Sequence, residues 1–337
     1  MLDVARQAAV SLSTVSNVLN RPDVVAPETL ARVREAMAKL QFVPNDSARQ
    51  LRRGRSSAIG VVVFDLSNPF WGEVTAGIES VLAPSGFVLM AGSSDASAAK
   101  ERRIVRAFDE RRPAGMLVAS VQEGEQLMPA YEGGTPIVLL NGVSDTLALS
   151  SVATDDRRGA ELAADHLFGL GHKCIGFVNG PTTRRSWAER RRGVSDAVHA
   201  RGLDWAEAVL EIGIEIPSAR EGEAIVEQMF NAHPRPTALF CGNDLVALGV
   251  LRKFATMGIH VPDDFAIVGY DDIDFAALLS PPLTTIRISA HELGRTSAQM
   301  LLDQIAKPEQ TIPRHLLFEP ELVIRESSGR PVTASGS

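Results

Sequence analysis

The sequence predicts a small all-α helix-turn-helix domain followed by an α/β body of two doubly wound parallel-sheet lobes. Three observations carry this. Residues 1–57 hold nine Lys/Arg against five acidic residues and the rest of the chain 25 against 36, so a small basic module precedes a larger acidic one. Within the basic module, apolar residues recur at spacings of three and four, the period of short amphipathic helices. From Ala58 onward, almost continuous apolar runs alternate with amphipathic stretches, as strands do when helices cover both faces of a parallel sheet. A length of 337 residues leaves room for two or three domains.

The first helix reads as Leu2–Ala9, with Val4, Ala5 and Ala8 on one face. After a turn at Val10 and Ser11, a second covers Ser13–Leu19 with Val15, Val18 and Leu19 as its stripe and Ser11 as N-cap. A third, Ala26–Leu40, opens with Pro27 and Glu28, both suited to a helix N-terminus, and repeats apolar residues at Leu30, Val33, Met37 and Leu40. Two helices joined by a short turn and covered by a third make a helix-turn-helix, whose second helix sets its N-terminal part into the DNA major groove. The stretch VSLSTVSNVLN (10–20) suits that task. Its short hydroxyl and amide side chains let backbone approach phosphates and reach base edges. On charge alone, a polyanion partner and a merely solvated basic face fit equally.

The motifs then become specific. LDVARQAAVSLSTVSNVLN, followed by VAPETLARVREAMAKLQFVPNDSARQLRRGRSSAIGVV, resembles the headpiece of the LacI/GalR family of transcriptional regulators, and the likeness runs through most of the chain. The resemblance implies base reading by Leu12, Ser13 and Asn17, and phosphate contacts by Ser11, Thr14, Ser16 and Asn20. Ala9 stands where the family usually has Gly in the turn. The chain also starts at the first helix without the family's usual lead-in residues, so a frayed first helix is expected.

Residues 1–43 are thus the expected DNA-binding domain and 44–57 a hinge. In PNDSARQLRRGRSS, Asn45 or Asp46 is placed to cap a helix that Gly54 ends. So short a helix is unstable alone in water, and at face value the segment is a basic linker. The resemblance implies more: two such segments of a dimer fold on operator DNA, with Leu51 wedged into a central base step from the minor groove. Arg52 enters the same groove, Ala48 lets the paired helices pack closely, and Asn45 joins the DNA-contacting set.

The body, 58–325, reads as strand 58–64, helix 70–83, strand 87–92, helix 98–110, and strands 115–120 and 136–141. A second series follows: helix 157–170, strand 174–180, helix 186–200, strand 208–212, helix 219–231, strand 237–244, helix 245–257 and strand 265–271. Strand 284–289 is expected to return to the first lobe. Lobe 1 is then about 58–155 plus 284–312, and lobe 2 about 156–283 plus 313–325. Residues 326–337 read as a disordered tail without the leucine heptads of a tetramerising coiled coil. Two such lobes in series resemble the clamshell of type I periplasmic binding proteins, the core that the family carries.

Ligands of open α/β sheets sit beyond the carboxyl ends of the strands. Here those ends offer Phe70 and Trp71 as aromatic faces, and Asn141, Asp155, Asn243 and Asp271 as polar groups; helix 186–200 adds Trp187 and Arg190. The resemblance implies that these eight line the cleft between the lobes. Stacking surface mixed with bidentate donors and acceptors suits a sugar or sugar derivative, with a nucleoside or purine as the other fit. Taken singly, each has a plainer role: Asp155 and Asn243 as helix caps, Phe70 as core, Arg190 as a solvated arginine.

Two α/β lobes alone would also fit an enzyme. The sequence has no GxxxxGK[ST] loop, no GxGxxG after the first strand, no GxSxG and no HExxH, and the cleft set offers no nucleophile–base or carboxylate pair with a defensible catalytic assignment. No catalytic residue, metal or cofactor is therefore expected. His172 matches a helix-to-strand turn of the family, and Cys174 and Cys241, inside apolar runs, read as buried free thiols. No secretory signal or membrane span is legible, so a cytoplasmic protein is expected. The expected partners are double-stranded operator DNA, a small-molecule effector and a second copy in a homodimer. The rival reading is a sugar-binding protein or sugar-active enzyme with no DNA role.

Overall fold

The computed structural model describes residues 1–42, 56–122, 124–144, 147–310 and 312–329. The chain divides into two compact units, Met1–Ser56 and Ser57–Ser337.

The first unit holds α1 (Leu2–Gln7), α2 (Leu12–Asn20) and α3 (Pro27–Lys39), within one or two residues of the expected bounds. Their stripes meet in one small core of Val4, Ala5, Ala8, Val15, Val18, Val33 and Ala36. Between α1 and α2, Ala9 adopts φ +52°, and Ser11 caps α2 by accepting the Thr14 amide at 3.1 Å. The expected hinge positions Asn45, Ala48, Leu51 and Arg52 lie outside the described residues.

The second unit contains two six-stranded sheets. Strands β1 (Ala58–Val63), β2 (Val88–Ser93), β3 (Gly115–Val118), β4 (Ile137–Leu140), β5 (Ser150–Thr154) and β11 (His315–Phe318) form the first, in order β11-β5-β4-β3-β1-β2, all parallel. Strands β6 (Ile175–Asn179), β7 (Val209–Gly213), β8 (Ala238–Cys241), β9 (Ala266–Asp271), β10 (Thr284–Arg287) and β12 (Glu321–Val323) form the second, in order β12-β10-β9-β8-β6-β7. Only β12 runs antiparallel.

Helices α4 (Pro69–Leu82), α5 (Ala98–Asp109), α6 (Met128–Glu132) and α12 (Ala290–Ala306) belong to the first lobe. The second takes α7 (Asp156–Gly169), α8 (Arg185–Ala200), α9 (Trp205–Ala208), α10 (Ala219–Asn231) and α11 (Asp244–Met257). The pair α4 and α12 touches backbone to backbone: a Cβ on Gly77 would stand 2.1 Å from the His291 carbonyl oxygen, and one on Gly294 2.0 Å from that of Val74. Any side chain there would push the helices apart.

Two chain assignments need correction. The strand at 284–287 joins the second sheet, beside β9, and does not return to the first. Hydrogen bonds hold it there: the Thr285 hydroxyl donates to the buried Asp244 at 2.6 Å, and the Thr284 backbone amide donates to the Ser327 hydroxyl at 2.8 Å. Conversely, β11 belongs to the first sheet and only β12 of the 313–325 segment to the second. The chain therefore crosses between lobes at 155, at 288–289 and at 319–320. Residues 326–329, expected in the tail, are instead part of the second lobe. Ser327 and Ser328 are buried in a turn, Ser327 donating to the Ile267 carbonyl at 2.7 Å and Ser328 bonding to His166 at 2.8 Å.

Candidate functional site

In the second unit, the carboxyl ends of both sheets open onto a cavity of about 300 Å³. Seven of the eight predicted residues line it: Phe70, Trp71, Asn141, Trp187, Arg190, Asn243 and Asp271. Phe70 and Trp71 sit in the first turn of α4, entered through Pro69 and capped by Asn68, which accepts the Phe70 amide at 3.0 Å. Their rings meet edge to face at 5.0 Å, and Phe64 packs on Trp71 the same way at 5.4 Å. Asn141 follows β4 with φ +52° and accepts the Thr154 amide at 3.2 Å. Across the cleft, Asn243 caps α11 through the Val246 amide at 2.9 Å. Trp187 is wedged between two glycines: a Cβ on Gly180 or Gly242 would lie 2.6 or 2.4 Å from its ring.

Arg190 is the fixed point of the second-lobe wall. Although 5% exposed, it donates from Nε to Asp156 at 2.8 Å and from Nη1 to the Gly242 carbonyl at 2.5 Å, and its guanidinium lies 3.6 Å from the Tyr270 ring centroid. Tyr270 donates to the same Asp156 oxygen at 2.9 Å. Burial lifts the Asp156 carboxyl, and Arg190 and Tyr270 pull it back. Burial also opposes the Arg190 charge, but Asp156 leads the groups that outweigh it, and the pKa of the guanidinium is raised. Asp271, φ +106°, faces the cavity with its carboxyl pushed well above the ordinary range by burial, while Arg190 pulls the other way. Behind it Asp244 is pushed by burial to about 7, against the pull of hydrogen bonds from Thr285 and Ile273.

Asp155 is not among the lining residues. It is the N-cap of α7, accepting the Arg158 amide at 2.9 Å, and its neighbour Asp156 turns inward to Arg190. The sequence reading missed Asp156, and also Arg184, which closes the cavity from the second lobe with its guanidinium 5.8 Å from the Phe64 ring centroid of the first. Asp65, Asp95 and Ser186 also line the cavity unpredicted.

In the first unit, α2 buries Val15 and Val18 and exposes Leu12, Ser13 and Asn17. Ser11 joins Ser13 and Thr14 in a hydroxyl cluster at 2.7 and 2.8 Å. That face offers amide, hydroxyl and one apolar tip, the groups that read base edges.

Residues 1–45 match the model of bacterial regulatory proteins of the lacI family, and 164–328 match that of a periplasmic binding protein-like domain. The HTH-type transcriptional repressor PurR of Aliivibrio salmonicida is 34% identical over 331 residues, 96% of this chain and 97% of the relative. The chain belongs to the LacI family of bacterial regulatory proteins. It is a DNA-binding transcriptional repressor with a small-molecule effector, not an enzyme. Among solved structures, the lac repressor dimer bound to operator and the anti-inducer ONPF matches with a TM-score of 0.82 and 29% identity, over 97% of this chain and 98% of that one. A LacI family regulator from Enterococcus faecium with bound ribose matches at 0.74 and 29%, over 82% of this chain and all of that one. No helix among the described residues is long and apolar enough to cross a membrane.

Proposed function

We propose that the repressor grips a near-palindromic operator as a homodimer and is switched by a sugar or sugar derivative held between the lobes. Leu12, Ser13 and Asn17 read bases in the major groove, while Ser11, Thr14, Ser16 and Asn20 hold phosphates. Asn45, Ala48, Leu51 and Arg52 belong to the hinge, where the Leu51 pair would kink the central base step. The observation that carries the effector reading is the convergence of Trp71, Asn141, Asn243, Arg190 and Asp271 on one cavity. Aromatic faces there can stack on a ring, and the Asp271 carboxyl and the Asn141 and Asn243 amides offer hydrogen-bond partners to its hydroxyls. The ribose-bound relative supports the sugar class. A nucleoside or purine base is the second reading, favoured by the PurR relatives and by the same aromatic faces. Exposed Val88 on edge strand β2 and Leu278 in the second lobe offer apolar surface to a second copy.

In this reading, effector binding changes the angle between the lobes and with it the spacing of the first lobes across the dimer, which sets whether paired hinges fold on DNA. A coupling of about 1–3 kcal/mol is enough for such a switch. Thermal-shift screening with ribose, other monosaccharides, nucleosides and purine bases tests the class. Stabilisation by a sugar alone supports the first reading, stabilisation by a purine or nucleoside alone supports the second, and no response to either rejects both.

A further inference from the structure

Of the three crossovers between the lobes, one short segment of the second touches one directly and reaches the flank of another through Arg287. There, β9 ends at Asp271 with φ +106°, and Asp272 follows with φ +55°. Two successive side-chain-bearing residues in left-handed backbone store strain and persist only where their surroundings hold them. The two side chains have separate tasks. Asp271 lines the cavity. Asp272, its side chain 7% exposed, sits between two arginines: Arg287 donates from Nε to its Oδ2 at 2.8 Å, and Arg325 Nη2 lies 2.6 Å from its Oδ1.

Arg287 adjoins the crossovers, and Arg325 braces the clamp from within the second lobe. Arg287 is the last residue of β10, just before 288–289, and its Nη1 also reaches Glu321, the first residue of β12 just past 319–320, at 3.1 Å. Arg325 follows β12 and donates from Nη1 to the Leu283 carbonyl at 2.7 Å. Inside the first of these crossovers, the Ile288 amide donates to the Asp271 carbonyl at 3.5 Å.

We propose that Asp272 is a positioning residue that couples the cleft to the crossovers, its arginine clamp carrying any change at Asp271 into the angle between the lobes. This rests on the reading of the cleft as the effector site only in that Asp271 is where occupancy is felt. A strained peptide with a ligand-facing group on one side and a charged clamp on the other has the discrete, packed connection that coupling needs.

The test uses the full chain, and its distance readout needs neither effector nor operator. Spin labels at Glu73→Cys on the first lobe and Arg220→Cys on the second, both exposed, report the interlobe distance by pulsed electron resonance, the native Cys174 and Cys241 being buried. Asp272→Asn and Arg287→Gln are each expected to shift or broaden the distribution. Asp271→Asn, which replaces the cavity-facing carboxyl by an amide, is expected to shift it in the native background and to add nothing on top of Asp272→Asn. Asp196→Asn, which breaks the Arg157 ion pair inside the second lobe, is expected to leave it unchanged. A folded Asp272→Asn or Arg287→Gln protein with the native distribution overturns the proposal, as does an equal Asp271→Asn shift in both backgrounds. Should Asp272→Asn fail to fold, Arg287→Gln, whose side chain is 46% exposed, carries the test. An unmoved distribution in a protein whose operator affinity still answers a metabolite sinks the clamp and spares the effector reading.

Discussion

Arg190 donates its Nε–H to Asp156 across 2.8 Å, with both side chains almost wholly buried in the wall of the cleft. The two partners are not equivalent. Without Asp156, a guanidinium that cannot shed its proton is left buried, whereas without Arg190 the remaining carboxyls can take up protons. Asp156→Ala is therefore expected to cost about 3–5 kcal/mol, the usual penalty for stranding one member of a buried pair, and Arg190→Ala less. Denaturant unfolding of both variants measures the asymmetry, and equal losses contradict it. Arg190→Ala and Asp271→Ala should keep operator binding and lose the effector response; normal induction in either would remove these residues from the site.

Asp244 makes stability depend on pH in an unusual direction. Its folded pKa, about 7, lies above its ordinary value of 3.8, so the folded state binds a proton that the unfolded chain releases. This contribution is fully present below pH 3.8, is lost as pH rises through the interval to about 7, and is flat above it. Asp244→Asn keeps partners for Thr285 and the Ile273 amide and removes the ionisation. Unfolding free energy measured from pH 5 to 8 should fall less steeply in the variant than in the native protein; identical slopes would mean that the carboxyl titrates normally.

Ala9 holds φ +52° between the first two helices. A left-handed conformation costs a side-chain-bearing residue about 1–2 kcal/mol, part of which glycine recovers. Ala9→Gly should slow hydrogen exchange of α1 and α2 amides in the full chain, and Ser11→Ala, which removes the α2 cap, should speed it by an amount matching about 1 kcal/mol. Faster exchange in Ala9→Gly would mean that the turn is not strained.

Specific and non-specific DNA binding should separate by residue. Leu51→Ala is expected to weaken operator binding far more than binding to random duplex, because a wedge acts at one base step. Asn17→Ala is expected to cost about 1–3 kcal/mol and relax preference at one position. Equal losses on both DNAs argue against a wedge in the first case and a base reader in the second.

The headpiece helices were legible because stripe, cap and turn residues agree within twenty residues of chain. The strands of both sheets that are buried on two faces announced themselves as apolar runs. Those that hid are short or polar: β5 carries two buried serines, and edge strand β11 leaves Leu316 and Leu317 exposed. The placement of β10 is a matter of pairing between distant residues, for which its own sequence holds no mark. At 155–156 the reading slipped by one residue. Here the cap, Asp155, spends its carboxylate on a backbone amide while its successor, Asp156, turns inward to Arg190, so two adjacent aspartates have opposite roles that composition does not distinguish.

In the proposed mechanism the headpiece grips specific DNA and the two-lobed body decides when it lets go. A gel-shift series with fragments of the source genome and random duplex, at graded salt and with candidate metabolites, tests it most directly. Retardation of particular fragments that weakens with salt and changes with one metabolite is the predicted result. Equal affinity for every fragment and random duplex, unmoved by any metabolite, would contradict it.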